Sequence, residues 1–413
     1  MGEVFRRFWN PVALAEQLPP PDGPPLRVQA LGESLVAFRD SAGKVGLLAE
    51  ACLHRGVSLA LGRVEDGGIR CLYHGWKFDT AGSVLDMPNH PDPKVRARLK
   101  TRSYSVREAA GLLWAYMGPA DKEPTFPNWK FLELPVEHLK VVRMNAQCNY
   151  MQQLEGGTDT SHVGILHSNL ARPGWVTGEF RPNTDRDNTA ALASDDLAPL
   201  LQIAETDYGF HYAAIRKLAP RDGVPMHNVR VVPIVMPATR VIPSPDTQVV
   251  VFEVPMSDTK TASFTVAWRP DRKPFDSRKF DELRGRDNHA MFDPATHEYL
   301  GNWDNGFGQD RASMAADWSG IRGIHLEDMA MSVSAGPILD RSVETLMPAD
   351  RALVRARRQL LDSARRLAAG EEPIGVRADH SVILACDRTT PVDVDWESLV
   401  APAALAGQVE AGG

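Results

Sequence analysis

The chain has 413 residues, of which 43% are hydrophobic and 24% charged, and a net charge of −7. That length fits two or three soluble domains with sizeable cores rather than one small carrier. The acidic balance gives no reason to expect nucleic acid or an anionic membrane as partner.

Residues 4–17 predict a short amphipathic helix, with Phe5, Phe8, Trp9, Val12 and Leu14 to one side, without the apolar stretch of a secretory signal. The proline-rich stretch 18–25 stops it. Short β-runs follow at 26–31, 34–38 and 45–48, with residues 40–44 as a hairpin connection and 112–116 as a closing apolar strand. Residues 119–148 read as a linker and residues 150–170 as helical. Runs at 211–218, 229–236, 239–242, 249–254 and 262–268 are spaced like an antiparallel sheet. Helices are expected near 324–334 and 349–369, the second turning Leu353, Val354, Leu360, Leu361 and Leu367 inward and its arginines to solvent. The last dozen residues, rich in Ala and Gly, read as a frayed tail, and no internal repeat is present. No apolar run approaches the roughly 18 residues that span a bilayer, so no membrane association and a cytoplasmic location are expected.

Two cysteine–histidine pairs, separated by sixteen residues, carry the first chemistry: Cys52-Leu-His54 and Cys71-Leu-Tyr-His74. Two loops each offering one thiolate and one imidazole suit a [2Fe–2S] cluster with histidines on one iron. A Cys2His2 set also suits structural zinc. The Cys, His, Cys, His alternation, with Gly56 after the first pair and Gly75-Trp76-x-Phe78 after the second, favours iron–sulfur. The remaining cysteines, Cys148 and Cys386, are too few and scattered for a disulfide framework.

A second constellation runs Glu155-x3-Asp159-x2-His162-x4-His167. Two histidines near a carboxylate supply corners of a 2-His-1-carboxylate site, which leaves positions open on a non-haem Fe(II). Later, residues 323–332 open a helix with Glu327 and Asp328, where the helix dipole alone would favour acidic residues.

The first motif, Cys-x-His-Arg-Gly…Cys-x-Tyr-His-Gly-Trp-x-Phe, resembles the Rieske family. Val57 and Tyr73 stand where respiratory-chain members carry a disulfide clamp, so the likeness is to the lower-potential centres of bacterial ring-hydroxylating oxygenases. The second motif resembles the mononuclear iron motif of Rieske non-haem iron oxygenases, and residues 336–342 resemble their phthalate dioxygenase group. The expected fold class is α+β: residues 1–24 an N-terminal helix and proline-rich connection, 25–120 a β-sandwich-like Rieske domain, and 121–413 a catalytic domain with an antiparallel sheet flanked by helices.

The resemblance implies that Cys52, His54, Cys71 and His74 hold the [2Fe–2S] cluster, and that His162, His167 and Asp328 hold a mononuclear Fe(II). Glu327 is then a solvent-facing neighbour, and His325 a packing or supporting residue. Asp159 would bridge an iron-bound histidine to a cluster histidine of the neighbouring subunit. Expected partners are O2, an aromatic substrate and a separate NAD(P)H-dependent reductase of flavin and iron–sulfur type, since no dinucleotide-binding glycine loop is present. Assembly as a head-to-tail homotrimer or stacked hexamer is implied. The expected reaction is cis-dihydroxylation of an aromatic carboxylate of phthalate or phenoxybenzoate type. O- or N-demethylation is the alternative within enzymes, and a pure electron carrier the alternative outside them. Arg216 and Arg230 are candidate cations for a substrate carboxylate.

Overall fold

Where the sequence predicts the first helix, a strand forms. Only Gly2–Phe5 is α-helical, with a 3-10 turn at Ala15–Gln17; β1 (Trp9–Leu14) lies between them at the edge of a three-stranded sheet. Pro11 decides this, because a residue without an N–H is costly inside a helix but tolerated on an edge strand, and the pairing register shifts between Pro11 and Ala13.

The computed structural model describes residues 2–168, 192–193, 196–243, 247–271 and 273–401. The tail from 402 onward, expected to fray, and the last two residues of the expected 150–170 helix lie outside them. The described residues form two compact units, one comprising the chain up to Phe126 together with Val254–Ser257, the other the remainder.

In the first unit β2 (Leu26–Ala30), β3 (Glu33–Arg39) and β4 (Val45–Ala49) form an antiparallel meander at the expected places. The expected 40–44 connection carries its turn on Asp40, whose Oδ1 accepts from the N–H groups of Ala42 and Lys44. Four short strands, β5 (Arg63–Glu65), β6 (Gly68–Arg70), β7 (Lys77–Phe78) and β8 (Val84–Asp86), make a second sheet. β9 (Ser105–Ala109) and β10 (Leu112–Tyr116) complete the sheet with β1. Val36, Phe38, Leu48, Leu59, Ile69 and Phe78 pack into one core that also takes in Cys52 and Cys71.

The second unit is built on an eight-stranded antiparallel sheet of order β11-β17-β16-β15-β14-β13-β12, with β18 also paired to β14. β11 (Leu139–Ala146) occupies the second half of the expected linker: its alternation is muted because the strand is buried on most of its length. The others are β12 (Leu200–Glu205), β13 (Gly209–Arg221), β14 (Val224–Val235), β15 (Thr239–Pro243), β16 (Gln248–Ser257), β17 (Lys260–Trp268) and β18 (Cys386–Pro391). The helices are α1 (Tyr150–Thr158), α2 (Ser277–Arg284), α3 (Ile324–Ser334) and α4 (Arg351–Ala368).

Helix α4 buries a different stripe from the one expected. Ala352, Ala356, Gln359, Leu360 and Ser363 face inward, and Leu361 is exposed. Adjacent leucines stand about 100° apart on a helix, so Leu360 and Leu361 cannot share one face. Small residues let α4 lie close to Phe210 and Tyr212 of β13. Nor are all its arginines solvated: Arg357 pairs with Glu155 and Glu344.

Candidate active site

The two cysteine–histidine loops fold as matching knuckles. Cys52 donates its N–H to Val57 O (2.8 Å) and Gly56 donates to Cys52 O (2.8 Å); Cys71 and Gly75 make the same bonds to Trp76 O (2.8 Å) and Cys71 O (3.0 Å). Gly56 and Gly75 sit at φ 72° and 77°, the left-handed conformation that lets each loop turn back over its own sulfur. His54 and His74 are brought together with ring centroids 4.6 Å apart, and Trp76 stacks on His54 at 4.9 Å. The Nδ1 of His74 is buried without a hydrogen-bond partner, and both cysteines are buried. Burial pushes the Cys52 thiol up to about 11. A buried thiol pair facing two imidazoles, one with an orphaned nitrogen, fits a metal cluster whose positive charge restores the thiolates.

In the second unit the expected 150–170 helix breaks at Asp159, which caps the C-terminus of α1 through its N–H to Glu155 O. Its carboxylate then organises the next turn: Oδ1 accepts from Ser161 N–H (2.7 Å), Oδ2 accepts from His162 N–H (3.1 Å), and His162 Nδ1 lies 3.3 Å from Oδ2. The chain continues through the 3-10 turn His162–Gly164 to His167. His162 Nε2 and His167 Nε2 lie 3.7 and 3.1 Å from Asp328 Oδ1 on α3. One ligand atom from each of His162, His167 and Asp328 falls within 4.8 Å of the others. Two imidazole nitrogens and a carboxylate aimed at one point fit a divalent metal with open positions.

The electrostatics agree. Burial works against charge on His167, but Asp328 and then Glu327 outweigh it and lift its pKa to about 10. Burial likewise opposes charge on Asp328, and His167 and His162 more than reverse that, holding it below its ordinary value. Carboxylates that grip a proton this firmly on an imidazole are placed to stabilise a cation there.

Glu327 does not face solvent as expected. Its side chain is fully buried, with Oε2 2.7 Å from His167 Nδ1 and Oε1 accepting from Ser319 Oγ (2.6 Å). Because adjacent helical residues diverge by about 100°, Asp328 and Glu327 reach opposite ends of the same imidazole. His325 is part-buried, and burial, with Arg284 and Arg286 nearby, keeps it neutral.

Of the two candidate arginines, Arg230 is neutralised by Asp387 (2.8 Å). Arg216 is 1% exposed and meets no carboxylate among the described residues. Its Nη2 donates to Thr160 O (3.3 Å) and Oγ1 (3.2 Å), between Asp159 and His162, and its Nε donates to Asp196 O (3.1 Å). A third arginine that sequence reading passed over, Arg240, pairs with buried Glu253 (2.6 Å) and lies across Gly157, where a Cβ would meet its Nε at 1.8 Å. The α1 anchor was also missed: Glu155 binds Arg341 and Arg357 at 3.0 and 2.7 Å. Its place at the head of the Glu-x3-Asp motif was the available signal.

Comparison with known proteins points the same way. Residues 8–104 match the family model described as Rieske [2Fe-2S] domain, and residues 115–411 the one described as LigXa C-terminal domain like. The phthalate 4,5-dioxygenase oxygenase subunit of Pseudomonas putida is 39% identical, with 96% of this chain and 90% of that one aligned. The 3-chlorobenzoate-3,4-dioxygenase oxygenase subunit of Comamonas testosteroni is 33% identical over 96% and 93% of the two chains. The 5,5'-dehydrodivanillate O-demethylase oxygenase subunit of Sphingobium sp. (strain NBRC 103272 / SYK-6) is 26% identical over 100% and 87%.

Proposed function

Because the chain belongs to the Rieske non-haem iron oxygenases, in the phthalate dioxygenase-like group, we propose that it cis-dihydroxylates an aromatic carboxylate. It is the oxygenase component of a system with a separate reductase and an aromatic substrate, and its cofactors are a [2Fe–2S] cluster and a mononuclear iron. When bound, the cluster supplies electrons singly and the iron's open positions take dioxygen.

In this reading Cys52, His54, Cys71 and His74 hold the cluster, while His162, His167 and Asp328 hold the iron. Asp159 orients His162 through Nδ1 and, with part of its side chain exposed, is available to a cluster histidine of a neighbouring copy in a head-to-tail trimer or stacked pair of trimers. The observation that carries the carboxylate assignment is Arg216. On the helix-bearing face of the sheet Arg230 and Arg240 each have an acidic partner, and Arg216 alone of the three has none among the described residues. A buried guanidinium with no carboxylate against it among the described residues, touching the segment between Asp159 and His162, favours an anion in the adjoining space.

The test is oxygen uptake with reductase and NADH across aromatic acids and their neutral amides, scored by product mass. Acids alone should drive coupled uptake and yield dihydrodiols. The O-demethylase relative favours a second reading, methyl hydroxylation, which would instead release formaldehyde. Uptake indifferent to substrate would return the chain to electron carrier.

A further inference from the structure

The two histidines of the triad are held by carboxylates of very different character. Asp159, beside His162, is 3.3 Å from Nδ1 with a side chain 26% exposed, whereas Glu327, beside His167, is 2.7 Å from Nδ1 and wholly buried. Glu327 is in turn fixed by Ser319, whose Oγ donates to Oε1 at 2.6 Å while accepting the N–H of Ile321 at 3.1 Å. A carboxylate hydrogen-bonded at Nδ1 places a ring proton on that nitrogen, which leaves Nε2 as the ring atom that faces Asp328 Oδ1, 3.1 Å away.

We propose that Glu327, seated by Ser319, is a positioning residue that locks His167 in the tautomer and orientation metal binding requires. The consequence is a division of labour: the affinity of the triad depends on the sealed Ser319–Glu327–His167 chain more than on the partly exposed Asp159 side. This inference rests on the reading of His162, His167 and Asp328 as a metal site.

The full-length protein with its cluster intact, stripped of mononuclear metal by a mild chelator, is titrated with Co(II). Glu327→Gln, close to isosteric, should weaken Co(II) binding by about 10- to 100-fold and alter the Co(II) d–d absorption, while the cluster's visible spectrum stays that of the parent. Ser319→Ala should weaken binding by less, and the double variant should bind no worse than Glu327→Gln alone, because both residues act through one imidazole. A parent-like affinity and spectrum in Glu327→Gln overturns the inference, as do strictly additive losses in the double variant. Should Glu327→Gln fail to accumulate, Ser319→Ala decides, and parent-like binding there overturns it. A parent that takes up no Co(II) overturns the metal reading and this inference together, whereas tight binding in both parent and Glu327→Gln overturns only the inference.

Discussion

Asp159 has both carboxylate oxygens engaged by the turn that follows it, so its position is fixed by backbone N–H groups rather than by the metal. Asp159→Asn keeps the acceptor for one of those bonds and removes the charge. We expect both metal sites to stay loaded and electron transfer between them to stop, read as a reduced cluster that no longer reoxidises when substrate and oxygen are added. Normal reoxidation would contradict the bridging role. Elsewhere at this scale, His211 and His297 are buried neutral residues. Burial lowers His211 to about 4, and burial followed by the charges of Arg143 and Arg286 does the same to His297. The unfolded chain binds these protons near pH 6.5, the folded chain only near 4, so between those values the unfolded state holds more of them. Stability therefore falls as pH drops from about 6.5 to 4, by up to about 3 kcal/mol for each histidine, and their contribution levels off below that. Urea unfolding at stepped pH checks this, and His211→Gln should reduce the slope by one proton. The two histidines that converge on Asp328 were legible in the sequence because their spacing is local; the burial of Glu327 was not, because it depends on its hydrogen bond with Ser319.

The element that matters most is α1, whose last turn carries Glu155 at the head of the motif and whose C-cap is Asp159. It is held from one side by Arg341 and Arg357 on Glu155, and over the sheet by the fit of Gly157 to Arg240. Glu155→Gln should cost about 2 kcal/mol, since the lost bonds are charge-assisted but both arginines keep some solvent. Gly157→Ala should cost about 1–3 kcal/mol by overpacking, since Arg240 is tied to buried Glu253 and cannot simply swing away. Denaturant midpoints measure both, and an unchanged midpoint in Gly157→Ala would contradict the packing. Strands of the large sheet were readable from their β-branched runs, as at Val249–Val251 and Val229–Val232. β1 and β11 were not: Phe5, Phe8 and Trp9 mimic a helical stripe, and β11 lacks clean alternation because it pairs with β17 inside the core.

For the molecule as a whole, the account requires two metal stations, one in each compact unit. No helix among the described residues is long and apolar enough to cross a membrane. Each station was visible in the sequence as a separate motif, and their joint order suggested the family before any geometry did. A candidate cation for a substrate carboxylate was less visible, because only the folded sheet separates Arg230, paired with Asp387, from Arg216, which meets no carboxylate among the described residues. The most direct measurement is iron and acid-labile sulfide content of anaerobically prepared parent and His162→Ala proteins. A [2Fe–2S] centre plus one mononuclear iron predicts about three irons to two sulfides in the parent, and loss of one iron with full retention of sulfide and visible colour in the variant. Zinc in place of the third iron, or loss of sulfide together with iron in His162→Ala, would contradict it.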